Sequence, residues 1–217
     1  AYLIAEDEVT LVDSGLPKQG EKILRAVRDA GRALEDLKHI AITHHHIDHA
    51  GSLAALVEAT GASVYVHPLD APIVRGEKDI PGPNPGSKMG KVLGPVVMRL
   101  IPKRLPELKI DREVADGDDL SIAGGMTAVH TPGHTAGHLS YLWPRNGGVL
   151  FAGDAAGLMF GRVGPPFGMF TEDMAQAKES IRKIAGLEFD SACFGHGGVL
   201  RGKAHAAFRR YVEKSAR

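Results

Sequence analysis

Short β-type runs and amphipathic stretches alternate along the first part of the chain. Tyr2-Leu3-Ile4-Ala5 and Thr10-Leu11-Val12 are compact apolar runs, and the second ends in the turn Asp13-Ser14-Gly15. Beyond Pro17, the residues Ile23, Leu24 and Val27 share one helical face, which Gly31 terminates. Ile40-Ala41-Ile42 is the next strand. Leu53, Leu56 and Val57 then mark a helix capped by Gly61, and Ser63-Val64-Tyr65-Val66 is a further strand. The second part changes period. Leu120-Ser121-Ile122, Thr127-Ala128-Val129, Leu139-Ser140-Tyr141-Leu142-Trp143 and Val149-Leu150-Phe151 are separated by turn signals, a spacing that predicts a meander of antiparallel hairpins. A long helix follows from Glu172, capped by Thr171, with Met174, Ala177, Ile181 and Ile184 inward. Ala192-Cys193-Phe194 is a last strand, and a basic helix begins near Lys203. The pattern predicts mixed sheets covered by helices in one α/β domain over residues 1–217.

An excursion at residues 76–110 breaks this rhythm. From Ile80 to Pro106 there is no acidic residue, whereas Lys88, Lys91, Arg99, Lys103 and Arg104 occur among many Pro and Gly. Within it Met89, Val92, Leu93, Val96, Val97, Leu100 and Ile101 recur at the spacing of one helix face. Gly90, Gly94 and Pro95 weaken that helix and predict a kink. Two readings stand side by side: a surface excursion whose apolar face packs on the body, or a lid or homodimer contact, through residues 88–104, beside an active site.

Composition narrows the function class. A chain of 217 residues can bury a core without a disulfide or a structural metal. Its 26 Lys and Arg balance 26 Asp and Glu, so no global attraction to nucleic acid is expected. The lone cysteine, Cys193, permits no internal disulfide and fits a reducing compartment. No signal peptide is visible, and no apolar run approaches the ~18–20 residues that span a bilayer. The expected location is the cytoplasm, although the chain opens inside a strand pattern, which leaves a removed upstream segment open.

Against that ordinary background, residues 43–51 read Thr-His-His-His-Ile-Asp-His-Ala-Gly. In an extended loop, side chains at i and i+2 point the same way, so His44 and His46 can reach one metal while His45 points elsewhere. Asp48 and His49 lie where the chain turns into a helix and can reach a second ion. Catalytic zinc takes N and O ligands and keeps one position for water. Paired metals clamp both oxygens of a displacement. Three more turns follow β-runs, and each carries one ligand-type residue: Thr131-Pro132-Gly133-His134, Phe151-Ala152-Gly153-Asp154 and Phe194-Gly195-His196-Gly197.

The ordered set H-x-H-x-D-H, P-G-H, G-D and a late G-H resembles the metallo-β-lactamase-fold superfamily of metallohydrolases. The match runs from Leu11-Val12-Asp13-Ser14-Gly15 to Gly195-His196-Gly197. The resemblance implies a four-layer αββα sandwich with its site at one edge between two sheets. It implies that His44, His46 and His134 hold a first metal, that Asp48, His49 and His196 hold a second, and that Asp154 bridges them. The cofactors would be two divalent ions, zinc first, with iron or manganese as alternatives. Hydroxide formed from metal-bound water would hydrolyse an ester, thioester or lactone-type small molecule, with Asp48 as the catalytic proton carrier.

Asp154 aligns the chain with the glyoxalase II, lactonase and phosphodiesterase branches and apart from true β-lactamases. Only about one helix follows His196, unlike the helical extension with which glyoxalase II grips glutathione. Ala155-Ala156-Gly157 stand where acyl-homoserine lactonases place a tyrosine. The alternatives are a mononuclear-iron sulfur dioxygenase of the same fold and a phosphodiesterase, which needs a cationic footprint that only Lys88–Arg104 offers.

Several neighbours carry two readings each. Asp13 either orients a ligand loop or forms a turn, and His138 either backs a ligand or is a satisfied core histidine. Residues from Phe160 to Phe170 either pack or line a pocket. His45 is expected to make a structural contact, His39, His67, His130 and His205 to be ordinary, and Cys193 to be a small buried hydrophobe.

Overall fold

The computed structural model describes residues 1–215. Strands β1 (Tyr2–Ala5) and β2 (Val9–Val12) pair antiparallel, and α1 (Gly20–Asp29) carries the chain to β3 (Leu37–Ala41). After α2 (Ile47–Ala50) and α3 (Leu53–Thr60) comes β4 (Ser63–Val66). Then α4 (Ala71–Val74) and α5 (Lys88–Leu100) precede β5 (Arg112–Glu113), which completes a first sheet in the order β1-β2-β3-β4-β5. From β2 to β5 all neighbours are parallel. Strands β6 (Asp119–Leu120), β7 (Met126–His130), β8 (Leu139–Trp143) and β9 (Val149–Gly153) form the expected antiparallel meander. A separate ribbon, β10 (Gly157–Met159) with β11 (Arg162–Gly164), comes next. Then α6 (Met174–Ala185) returns the chain to β12 (Ser191–Phe194), which runs parallel to β9, and β13 (Val199–Leu200) ends the second sheet before α7 (Ala204–Ser215).

Period-two alternation decides how these layers stack. In β8, Leu139, Tyr141 and Trp143 face the first sheet, where they meet Ile4, Val12 and Ala41 in one buried cluster. In β9 and β12 the inner residues Phe151 and Cys193 join that cluster, whereas Leu150, Ala152, Ala192 and Phe194 turn outward onto Ile181 and Ile184 of α6 and Phe208 of α7. On the far side of the first sheet, Leu11, Ile40 and Val64 pack on Leu24 and Val27 of α1 and Leu53 and Leu56 of α3. Three apolar seams separate four layers, helix-sheet-sheet-helix. Tyr141 is fully buried between the sheets and its hydroxyl donates to the Ile42 carbonyl at 2.9 Å, which leaves no orphan polar atom in that seam at this point.

Strand direction puts the chemistry at one edge. β2 and β3 are parallel neighbours, so Asp13 and the histidine loop leave them at the same end. β7 and β9 run the same way because each is antiparallel to β8, and β12 is parallel to β9. The turns bearing His134, Asp154 and His196 therefore emerge together. The Leu139 amide donates to the Thr43 carbonyl at 2.8 Å and ties the two sheets at that edge.

Two local expectations differ from what forms. α6 is capped by Asp173, whose carboxylate accepts from the amides of Ala175 and Gln176, and not by Thr171, whose hydroxyl is engaged at the site described below. The excursion closes at its base through an Ile80 amide to Lys103 carbonyl bond of 2.7 Å, with Ile80, Leu105 and Ile110 buried under it. Asn84 fastens it to the body by donating to the carbonyls of Met169 and Thr171. Most of its apolar stripe does not pack on the body: Met89, Val92, Leu93, Val96 and Leu100 are exposed, Val97 is half-buried, Ile101 packs against the core, and the buried positions of α5 are Gly90 and Gly94.

Candidate metal centre

The strand-end turns bring the seven predicted ligands into one cradle. His44 Nε2 and His134 Nε2 each lie 3.0 Å from His46 Nδ1. Asp48 Oδ2 lies 3.1 Å from His196 Nε2 and 3.8 Å from His49 Nε2. Asp154 reaches both groups, with Oδ2 at 3.3 Å from His134 Nε2 and 3.3 Å from His196 Nε2, and Oδ1 at 3.5 Å from His49 Nε2. The ligand-type atoms of His44, His46 and His134, of His44, His49 and Asp154, and of Asp48, His49 and His196 form three sets, each spanning less than 4.8 Å.

Hydrogen bonding behind the rings fixes which nitrogens face inward. Thr171 gives its hydroxyl proton to the Phe167 carbonyl at 3.0 Å, so toward His134 Nδ1, 3.1 Å away, it can only accept. His134 therefore carries its proton on Nδ1 and points a lone pair inward from Nε2. Thr43 gives its proton to the Asp13 carboxylate at 2.9 Å and accepts from His44 Nδ1 at 3.0 Å, with the same result for His44. Asp13 Oδ2 takes the Nδ1 proton of His49 at 2.7 Å. Two inward lone pairs follow from the two threonine oxygens, and the Asp13 carboxylate fixes the outer nitrogen of His49.

Burial keeps His44 and His46 well below the ordinary histidine range, and with the other rings' help it outweighs the pull of Asp154 to hold His134 down at about 4. Two inward lone pairs then converge on His46 Nδ1, which can offer at most one proton. Asp154 Oδ1 is buried with no hydrogen-bond partner. Bare imidazole nitrogens and an orphan carboxylate oxygen fit a cation and little else, because without one they repel or go unsatisfied. Burial lowers His49, but Asp13, Asp154 and Asp48 overcome it and raise the ring to about 9, while hydrogen bonds donated to Asp154 and Asp48 lift His196 to about 10. Burial would raise Asp48, yet His196 and His49 hold it down at about 2. The acids thus bid for positive charge from whatever can supply it.

The glycines before these residues are required by contact. A Cβ on Gly195 would sit 2.0 Å from Asp154 Oδ1 and 2.7 Å from His49 Cε1. Gly153 adopts φ 51, where a Cβ would meet His138 Nε2 at 2.7 Å. His138 is held as a positioning residue: its Nε2 accepts the Asp154 amide at 2.9 Å, so its Nδ1 proton goes to Thr131 and on through Ser140 to the Ala152 carbonyl. Both of its readings therefore hold, since it is buried, satisfied and set behind Asp154. Asp13 likewise does more than turn the chain; at φ 61 it aims its carboxylate at Thr43 and His49.

Asp70 was not singled out by the sequence pattern. It is buried, and it accepts from the His45 amide, the Thr135 hydroxyl and the Gly137 amide, each at 2.9 Å. His45 turns away from the cradle toward this carboxylate, with Nδ1 3.0 Å from Oδ2 but outside hydrogen-bond geometry. A strand-end acid four residues past β4 was the one available signal. His67 and His130 stack on each other with ring centres 4.1 Å apart, His39 meets Glu8, His205 binds the Phe189 carbonyl, and Cys193 is buried.

A cavity of about 990 Å³ opens over Asp48, Asp154, His46, His134 and His196. Its walls are largely apolar, from Ile80, Val97 and Ile101 on one side and Leu158, Phe160, Phe167 and Phe170 on the other. The segment after β9 thus lines a pocket. Arg162 is the only Lys or Arg on that wall among the described residues.

A family model described as the metallo-beta-lactamase superfamily matches residues 1–196. The chain belongs to the metallo-β-lactamase superfamily. Probable metallo-hydrolase YflN of Bacillus subtilis (strain 168) is 35% identical over 210 residues, covering 89% of this chain and 76% of that protein. A hydroxyacylglutathione hydrolase of Pseudomonas aeruginosa (strain LESB58) is 33% identical over 155 residues, which cover 70% of this chain and 43% of the relative. Among solved structures, the Rm3 metallo-beta-lactamase superposes with a TM-score of 0.71 at 24% identity, over 99% of this chain and 83% of its own, which speaks to the fold. As a superfamily member the chain is a metallohydrolase, with His and Asp clusters of the kind that hold a divalent metal. No helix among the described residues is long and apolar enough to cross a membrane.

Proposed function

We propose that the chain hydrolyses a small ester, thioester or lactone with an apolar acyl part, using two divalent ions, zinc in the first instance. His44, His46 and His134 would hold one, Asp48, His49 and His196 the other, and Asp154 both. The observation that carries this is the double reach of the buried Asp154 carboxylate, with oxygens 3.3 Å from His134, 3.3 Å from His196 and 3.5 Å from His49. Bound divalent cations supply an acidified water and polarise a carbonyl. The chain's own residues do the rest. Asp48 lines the cavity beside the cradle, where it can take the attacking water's proton and deliver it to the leaving oxygen or sulfur. Val97, Ile101, Phe167 and Phe170 receive the acyl part and keep bulk water from the reacting carbonyl.

A wall with a single arginine is a poor match for the serial phosphates of nucleic acid, which favours a neutral acyl substrate over a phosphodiester. The test is metal analysis of protein purified without chelator, in parallel with a panel of thioesters, lactones, phosphodiesters and β-lactams. About two ions per chain and turnover confined to acyl substrates are expected. One iron per chain with oxygen uptake on a persulfide would replace this reading with a dioxygenase.

A further inference from the structure

Helix α5 displays its large apolar side chains to solvent. Met89, Val92, Leu93, Val96 and Leu100 recur at spacings of three and four, so they share one side, and they are 46%, 74%, 45%, 55% and 79% exposed. The cause lies on the opposite side. At Gly90 a Cβ would meet the Asn84 carbonyl oxygen at 2.3 Å, and Gly94 lies over the Pro83 ring. The helix packs through its bare backbone and turns its bulk outward, the reverse of an ordinary surface helix. Lys88, Lys91 and Arg99 are exposed on the same helix and Lys103 follows it, while Arg104 pairs with Asp79 at 2.6 Å; no acidic residue lies between Ile80 and Pro106.

A second, independent feature borders the same cavity. At the tip of the β10–β11 ribbon, Phe160 is 95% exposed and Met159 69% exposed. Phe160 has φ 50 and Gly161 φ 71, turn positions that favour Asn-Gly. A phenylalanine there is unfavourable twice over, in its backbone and in its contact with water. Val97 and Ile101 from the α5 side and Met159 and Phe160 from the ribbon all line the cavity.

We propose that α5 and the β10–β11 tip together dock on an anionic lipid bilayer and set the cavity mouth against it. Exposed apolar side chains beside lysines and arginines, in a segment without acids, are what an interfacial helix needs. The chain's zero net charge is no obstacle, because Lys88, Lys91, Arg99 and Lys103 lie in a stretch without acids, and the neighbouring Asp79 is engaged by Arg104. A second copy of this chain complements the surface less well. Two-fold pairing would set Lys88, Lys91 and Arg99 against their own equivalents with no acid in the segment to answer them.

Docking is measured without turnover, so it fails or holds apart from the hydrolase reading. The full chain is co-sedimented with vesicles of phosphatidylcholine alone and of phosphatidylcholine with phosphatidylglycerol, at low and high salt. Binding to the anionic vesicles, weakened by salt, is expected. Lys88→Gln/Lys91→Gln/Arg99→Gln should lower partitioning about a hundredfold. Val92→Ser/Leu93→Ser/Val96→Ser/Leu100→Ser should abolish it, with melting temperature and metal content unchanged in both variants. Absence of binding by the unaltered chain, or binding that neither variant touches, overturns the proposal. So does a concentration-dependent dimer in sedimentation velocity that the serine variant disperses, with no vesicle binding; that result assigns the face to a second copy.

Discussion

His44 and His134 stand on one side of Asp154, Asp48 and His196 on the other, and the two sides are built to different standards. His44 and His134 are 0% and 1% exposed, each with a threonine oxygen locking its outer nitrogen. Across Asp154, only His49 has such backing, from Asp13, while the side chains of Asp48 and His196 are 34% and 64% exposed. A buried, tautomer-locked pair loses little freedom on binding an ion, whereas an exposed acid and imidazole must be ordered by it. On the proposed two-ion reading, one side is suited to retention and the other to exchange with whatever enters the cavity.

Asp154 is common to both sides, so its loss should cost most. Asp154→Asn is expected to lower kcat about a thousandfold or more while the circular dichroism and melting temperature stay near those of the parent chain. Near-normal turnover would remove the bridge from the comparison. Next in size is the contrast between His44→Ala and His196→Ala. The first should leave the chain unable to hold its tighter ion, the second should retain one ion per chain, and stepwise chelator titration of the parent should release the ions in two phases. Equal loss in both variants would erase the distinction between the two sides.

Smaller effects sharpen it. Thr171→Val removes the acceptor behind His134 and should weaken metal binding about 10–100-fold on that side alone. Asp13→Ala should do the same on the His49 side, read by competition with a metal indicator. The smallest effect belongs to the wall: Ile101→Ala should raise KM for longer acyl esters about fivefold with kcat kept, because it removes apolar contact that substrate and transition state share.

The cradle's outline was legible because ligand chemistry uses scarce residue types. Four histidines and an aspartate in 43–51, and three strand-end turns with one ligand-type residue each, stand out of any composition. The backing oxygens were not legible. Thr43, Thr131 and Thr171 are common residues whose meaning arises only once folding sets their hydroxyls against the rings of His44, His138 and His134, and Thr171 reads locally as a helix cap. The strands β5, β10, β11 and β13, of two or three residues each, are too short to show a period. In α5 the spacing of apolar residues was readable but its direction was not. Gly90 and Gly94 looked like weak points in a helix, and in three dimensions they are the face that packs.

Asp70 grips the backbone before His46 and the loop just after His134 with the same two oxygens, although those loops come from different sheets. Neither loop is therefore a module. Grafting the His44–His49 stretch into another scaffold, or exchanging the turn at His134 between relatives, transfers donors without the shared clamp that spaces them. Any redesign of this edge has to move all three pieces as one.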